Sequence, residues 1–131
     1  MKDKVEYHNF KKLNNWVLGL ELCDHVYSFT ETLPNKEKYN LISQMERSAV
    51  SIPSNIAEGS AKRTNNHFAE FLSTALASSY ELETQLLICE KRNFGNINDR
   101  SILLSEVSSL QTKFFNFRNK IINDNYTAKG S

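Results

Sequence analysis

Three histidines, two cysteines and 15 acidic residues are what this 131-residue chain offers for building a reactive centre. His8, His25 and His67 lie on different segments. No Glu-x-x-His pair occurs, although helical di-iron sites are built from two of them. His25 has Glu21 and Asp24 close by in sequence, a trio that reads better as a solvated helix face than as a metal site. Cys23 and Cys89 lack zinc-finger spacing and sit inside apolar helical patterns, which predicts reduced core thiols rather than a disulfide. There is no Gly-rich phosphate loop, and no serine stands in a nucleophile elbow. The chain therefore reads as a non-enzyme that needs neither cofactor nor metal.

The polar residues with specific geometry lie elsewhere. Gln44, Arg47 or Ser48, Ser51, Asn55 and Glu58 form one helical stripe, and Thr74, Ser78, Glu81 and Gln85 form another. On antiparallel helices Arg47 and Glu81 would be ion-pair partners. Two readings stand open: a buried polar network that fixes helix register, or a ligand or partner surface centred on Arg47, Asn55, Glu58 and Glu81. Pro53 interrupts the first stripe; it removes an amide donor, frees the carbonyl of Ala49 and predicts a kink. The hydroxyls of Ser51 and Ser54 are near enough to help re-satisfy that backbone.

The elements that must carry these stripes are helices. Four glycines and two prolines are too few for an all-β fold, and 24% charged residues with 40% apolar ones suit a folded chain. A first helix is predicted over 10–32, with Phe10, Leu13, Val17, Leu20, Cys23 and Tyr27 as its apolar stripe and Trp16 and Val26 widening it. Pro34 stops it. A second runs over 36–59, with Leu41, Met45, Ala49, Ile52 and Ile56 inward and Gly59 as a left-handed cap. A third spans 65–91 behind an N-cap at Thr64 or Asn65, with Phe68, Leu72, Ala75, Leu82 and Leu86 as its seam and Ser79 as a gap. A fourth spans 99–123 behind Asn98, with Leu103, Val107, Leu110, Phe114, Phe117 and Ile121 in heptad spacing. Phe115 lies off that seam, as a core or subunit-interface residue in preference to a stacking surface. One all-α domain over 1–131, an up-down-up-down four-helix bundle with a flexible tail over 124–131, is the expected architecture. No signal-peptide core and no apolar run of ~20 residues is present, so a cytoplasmic protein without membrane contact is expected.

The run Ser51-Ile-Pro-Ser-Asn-Ile-Ala-Glu-Gly59, with Gln44-Met-x-Arg47 before it and Arg63 after it, resembles the signature of the 23S rRNA intervening-sequence proteins. The resemblance continues through Leu13-x-x-Trp16, Tyr27-x-x-Thr30, Leu33-Pro34-x-x-Glu37, Phe68-x-x-Phe71-Leu72-x-x-Ala75 and Glu81-Leu-Glu-Thr-Gln85, covering roughly 10–91. At Ala77-Ser78 the family usually has Gly-Ser, and the extra methyl is expected to widen a helix contact slightly. The resemblance implies a bundle that assembles into a ring-like homopentamer without catalytic activity. Relatives serve as accessory proteins of diversity-generating retroelements, where a pentamer binds a reverse transcriptase and nucleic acid.

With 16 basic residues against 15 acidic ones, the formal charge is +1, so wholesale attraction of nucleic acid or anionic membrane is not indicated. A local patch would have to do it, and the candidates are Lys11, Lys12, Lys62, Arg63, Arg118 and Lys120. The leading expectation is a homo-oligomer that binds RNA, DNA or a nucleic-acid enzyme. The alternative is a reverse-transcriptase adaptor acting mainly through protein contacts.

Overall fold

The computed structural model describes residues 9–123; the tail expected to be flexible lies outside them. Four helices follow one another: α1 (Asn14–Thr30), α2 (Ser43–Ser60), α3 (Asn65–Arg92) and α4 (Ile97–Asn123). Each packs against the next, and α4 returns to α1 along the loosest of the four seams. Contacts run in opposite directions along every pair. Thr30 meets Glu46 while Gly19 meets Pro53; Ser48 meets Glu81 while Gly59 meets Phe71; Glu83 meets Gln111 while Ser73 meets Arg118. His25 meets Glu106, and the loop before α4 reaches Thr32. The up-down-up-down four-helix bundle is thus as expected, around a core that includes Leu22, Met45, Ile52, Leu72, Leu86, Val107 and Phe114.

The heptad seam of α4 and the seam of α3 are where the pattern put them. In the gap at Ser79, the hydroxyl donates to the carbonyl of Leu76 at 2.6 Å and is fully buried. The caps are partly as expected. Thr64 Oγ1 accepts from the amide of His67. α4, however, is capped by Asn96 and not by Asn98: Oδ1 of Asn96 accepts from the amide of Asp99 at 3.0 Å. Both asparagines fit the propensity, and the earlier one wins because the left-handed pair Asn93 and Gly95 has already turned the chain.

α1 is rotated from its expected face. Asn15, Gly19, Leu22, Val26 and Phe29 are buried, whereas Leu20 and Tyr27 are exposed. Opposite the polar face of Asn14, Glu21, Asp24, His25 and Ser28 the helix is broadly apolar, so periodicity alone admitted two stripes, and close packing chose between them. A Cβ at Gly19 would lie 3.2 Å from Ile52 Cγ2 and 3.5 Å from the Pro53 backbone, so only a bare backbone lets α1 approach α2 so closely. α1 also ends at Thr30, two residues early, in a tightened turn where the amide of Leu33 donates to the carbonyl of Thr30.

α2 is regular only from Ser43; the chain over 36–42 passes through a short 3-10 turn and a π-helical turn, Lys38–Ile42. From Ser43 it continues helically through Pro53, which is buried. Gly59 is not a left-handed cap. The helix runs on to Ser60, and a Cβ at Gly59 would stand 2.6 Å from Phe71 Cβ. Its glycine admits α3.

Candidate nucleic-acid interface

The topology gathers the predicted cations. The start of α1, the turn between α2 and α3, and the end of α4 all fall at one end of an up-down-up-down bundle. Lys11, Lys12, Lys62, Arg63, Arg118 and Lys120 therefore lie toward the same end, although they are far apart in sequence. Lys11 and Lys12 lie in a 3-10 turn capped by Asn9, whose Oδ1 accepts from the Lys11 amide at 3.1 Å, and this turn packs on α2. Lys62 is half-buried, with Nζ 4.9 Å from the centre of the Phe71 ring. Arg63, Lys11, Lys12 and Lys120 are exposed. Arg118 is different: Nε donates to Ser73 Oγ and Nη1 to Asn119 Oδ1, so its guanidinium ties α4 to α3 as well as adding charge. Among the described residues Glu58 and Glu70 are exposed acids on the segments that carry these cations.

The four polar candidates of the second helix are not brought together as one site. Ser48 Oγ donates to Glu81 Oε1 at 3.1 Å, the Ser51 and Ser78 hydroxyls lie 2.8 Å apart, and Asn55 Nδ2 donates to the Ser51 carbonyl and hydroxyl at 2.8 and 2.9 Å. These bonds form a ladder along the α2–α3 seam, and Asn55 and Glu81 belong to it. Arg47 and Glu58 are exposed beside it. The Arg47–Glu81 ion pair is absent among the described residues; Ser48, one residue on, faces the seam and takes the carboxylate. Of the two open readings, the geometry supports the register-fixing network. Gln85 extends the stripe but is buried with Oε1 unpartnered. Ala77 is exposed, so the methyl that departs from the family pattern points away from this contact instead of widening it, while Ser78 bonds across it.

His25 faces a partner that sequence proximity did not suggest. Its Nδ1 lies 2.9 Å from Glu106 Oε1, across the α1–α4 seam. The hydrogen bond to the Glu106 carboxylate, against some desolvation and with the charges of Glu106, Asp24 and Glu21, raises its pKa above the ordinary imidazole value. Among the described residues no three His, Cys, Asp or Glu side chains are placed to hold a metal. Both cysteines are free thiols. Burial pushes Cys89 up to about 11, and burial with the charges of Asp24 and Glu46 raises Cys23, so neither is primed as a nucleophile. No helix among the described residues is long and apolar enough to cross a membrane.

The rotation of α1 leaves a second surface that sequence reasoning assigned to the core. Leu20 and Tyr27 are 47% and 43% exposed, with half-buried Cys23 between them, and Val50 of α2 is exposed too. Phe115 is half-exposed on α4, as its off-seam position suggests. The signal was present in the sequence, since Gly19 marks the face of closest approach.

A family model described as 23S rRNA-intervening sequence protein matches residues 11–116, which takes in α1 to α3 and most of α4. No curated protein sequence matches the chain.

Proposed function

We propose a function from one premise: the chain belongs to the 23S rRNA-intervening sequence protein family. Within it, this protein is a non-enzymatic homo-oligomer, a pentamer by the resemblance, that binds nucleic acid through the positive end of its bundle. The carrying observation is that six cations from three separate segments fall toward that end, with Glu58 and Glu70 as exposed acids there among the described residues. Assembly of several copies would multiply this surface, so that a nearly neutral chain presents a strong local field. The outward apolar stripe of Leu20, Cys23 and Tyr27 supports assembly, because exposed apolar patches of this kind are commonly covered by a partner.

The test is retention of fluorescently labelled RNA and DNA at rising salt. Each phosphate neutralised contributes about −0.7 to the log–log salt slope on a single strand, and about −0.9 on a duplex. The double variant Lys62→Ala, Arg63→Ala should flatten that slope and weaken binding on every sequence alike. No retention at low ionic strength would sink the nucleic-acid reading. If the protein instead captures a reverse transcriptase in the absence of nucleic acid, and Leu20→Glu abolishes the capture, the adaptor reading replaces it.

A further inference from the structure

The opposite end of the bundle also carries cations, and there they are interleaved with aromatic rings. Lys36 Nζ lies 5.7 Å and the Arg92 guanidinium 5.9 Å from the centre of one ring, Phe94. Two like charges from different segments thus approach one ring, and among the described residues neither forms an ion pair. Lys38 Nζ lies 5.4 Å from the Tyr39 ring. Tyr39 is 88% exposed, more than any other large hydrophobic residue described, whereas Leu41, two residues on, is buried. Between them the backbone makes the π-helical turn Lys38–Ile42, an irregularity often found at functional positions.

This arrangement is held in place. Arg100 Nη1 donates to the Phe94 carbonyl at 2.8 Å and to the Cys89 carbonyl at 3.4 Å. The amide of Asn96 donates to Thr32 Oγ1 at 3.1 Å. Gly95 sits at φ +83, where a Cβ would lie 2.7 Å from the Phe29 ring, so the loop carrying Phe94 is seated directly on the core. An open aromatic face flanked by cations suits a stacked nucleobase with phosphates on either side.

We propose that this end is a stacking platform for single-stranded nucleic acid, with Tyr39 taking an unpaired base and Lys36, Lys38 and Arg92 taking neighbouring phosphates. The strand must be single because a base inside a duplex has no free face for the ring. Glu37, which accepts from Asn40 at 3.3 Å, and Glu90 and Asp99 offset the charge here. Long-range attraction is therefore weak, and three phosphate contacts give a shallow log–log salt slope of about −2. The proposal rests on the nucleic-acid reading above and adds a second, base-dependent contact to it.

The test measures fluorescence anisotropy of a labelled single strand and of an abasic strand of equal length, at low ionic strength. The wild-type protein should prefer the base-bearing strand by about 5- to 150-fold, the range of one stacked base. Tyr39→Ala should erase that preference and Tyr39→Phe should keep it. The double variant Lys36→Ala, Arg92→Ala should weaken both strands, and a 5-iodouracil strand should photo-crosslink at Tyr39. Unchanged preference in Tyr39→Ala, or crosslinks confined to the Lys62–Arg63 end, would overturn this proposal alone. Equal competition by polyglutamate would mark an acidic-protein site and overturn it as well. If the wild-type protein binds neither strand, both this proposal and the nucleic-acid reading fall.

Discussion

Replacing Gly59 with alanine puts a methyl carbon 2.6 Å from Phe71 Cβ and 3.1 Å from Phe68 Cδ1. Phe71 Cβ is fixed to its backbone, so no rotamer change can move it away. Carbon atoms prefer about 3.5–4.0 Å, so α2 and α3 must part by roughly 1 Å at this point. Overpacking of that kind costs about 1–3 kcal/mol, against which alanine recovers up to about 1 kcal/mol of helix propensity. The net expectation is a loss of about 1–2 kcal/mol, lowering Tm by roughly 3–8 °C for a chain of this size. Thermal and urea unfolding followed by circular dichroism measures it. Gly59→Asn separates packing from capping, since asparagine tolerates the left-handed cap conformation but brings more atoms. Under the packing account Gly59→Asn is worse than Gly59→Ala. An alanine variant as stable as the wild type, or an asparagine variant more stable than the alanine one, would refute the reasoning.

Three further outcomes are expected. The double variant Leu20→Glu, Tyr27→Glu should keep the helical circular dichroism spectrum but reduce the particle mass in size-exclusion chromatography, because both side chains are already exposed in the single chain. His25, with its raised pKa, should contribute its ion-pair stability fully below about pH 6.5 and lose it as pH rises through its folded value. For so exposed a pair the effect is at most about 1 kcal/mol, and an NMR titration of the imidazole in Glu106→Gln should show the pKa falling. Ser78→Ala should destabilise by about 1 kcal/mol in urea titration, since Ser51 keeps its bond from Asn55 when the Ser78 hydroxyl is lost.

The helices, their order and three of the four inward faces were legible because periodicity and turn residues agreed with one another, even where the capping residue differed. α3 and α4 illustrate this: the predicted seam residues Phe68, Leu72, Ala75, Leu82 and Leu86, and Leu103, Val107, Leu110, Phe114 and Ile121, are all buried. α1 was not legible in the same way. With apolar residues over a broad face, the choice of stripe depended on what α2 could accept, a long-range fact resolved at Gly19 and Pro53. The α2–α3 ladder was half visible. The stripes were identified, but whether Arg47 or Ser48 met Glu81 turned on one residue of helix rotation. His25–Glu106 was invisible, because the two residues meet only through the packing of α4 on α1. The cations at the basic end were each ambiguous in sequence, where a lone lysine reads as solvated; topology makes them a group.

The central claim, a homo-oligomer that carries nucleic acid, is tested most directly by light scattering on the purified protein with absorbance recorded at 260 and 280 nm. A particle of five chain masses that carries excess 260 nm absorbance at low salt, and sheds it as salt rises, is the predicted result. A monomer with the spectrum of bare protein at every salt concentration would contradict it.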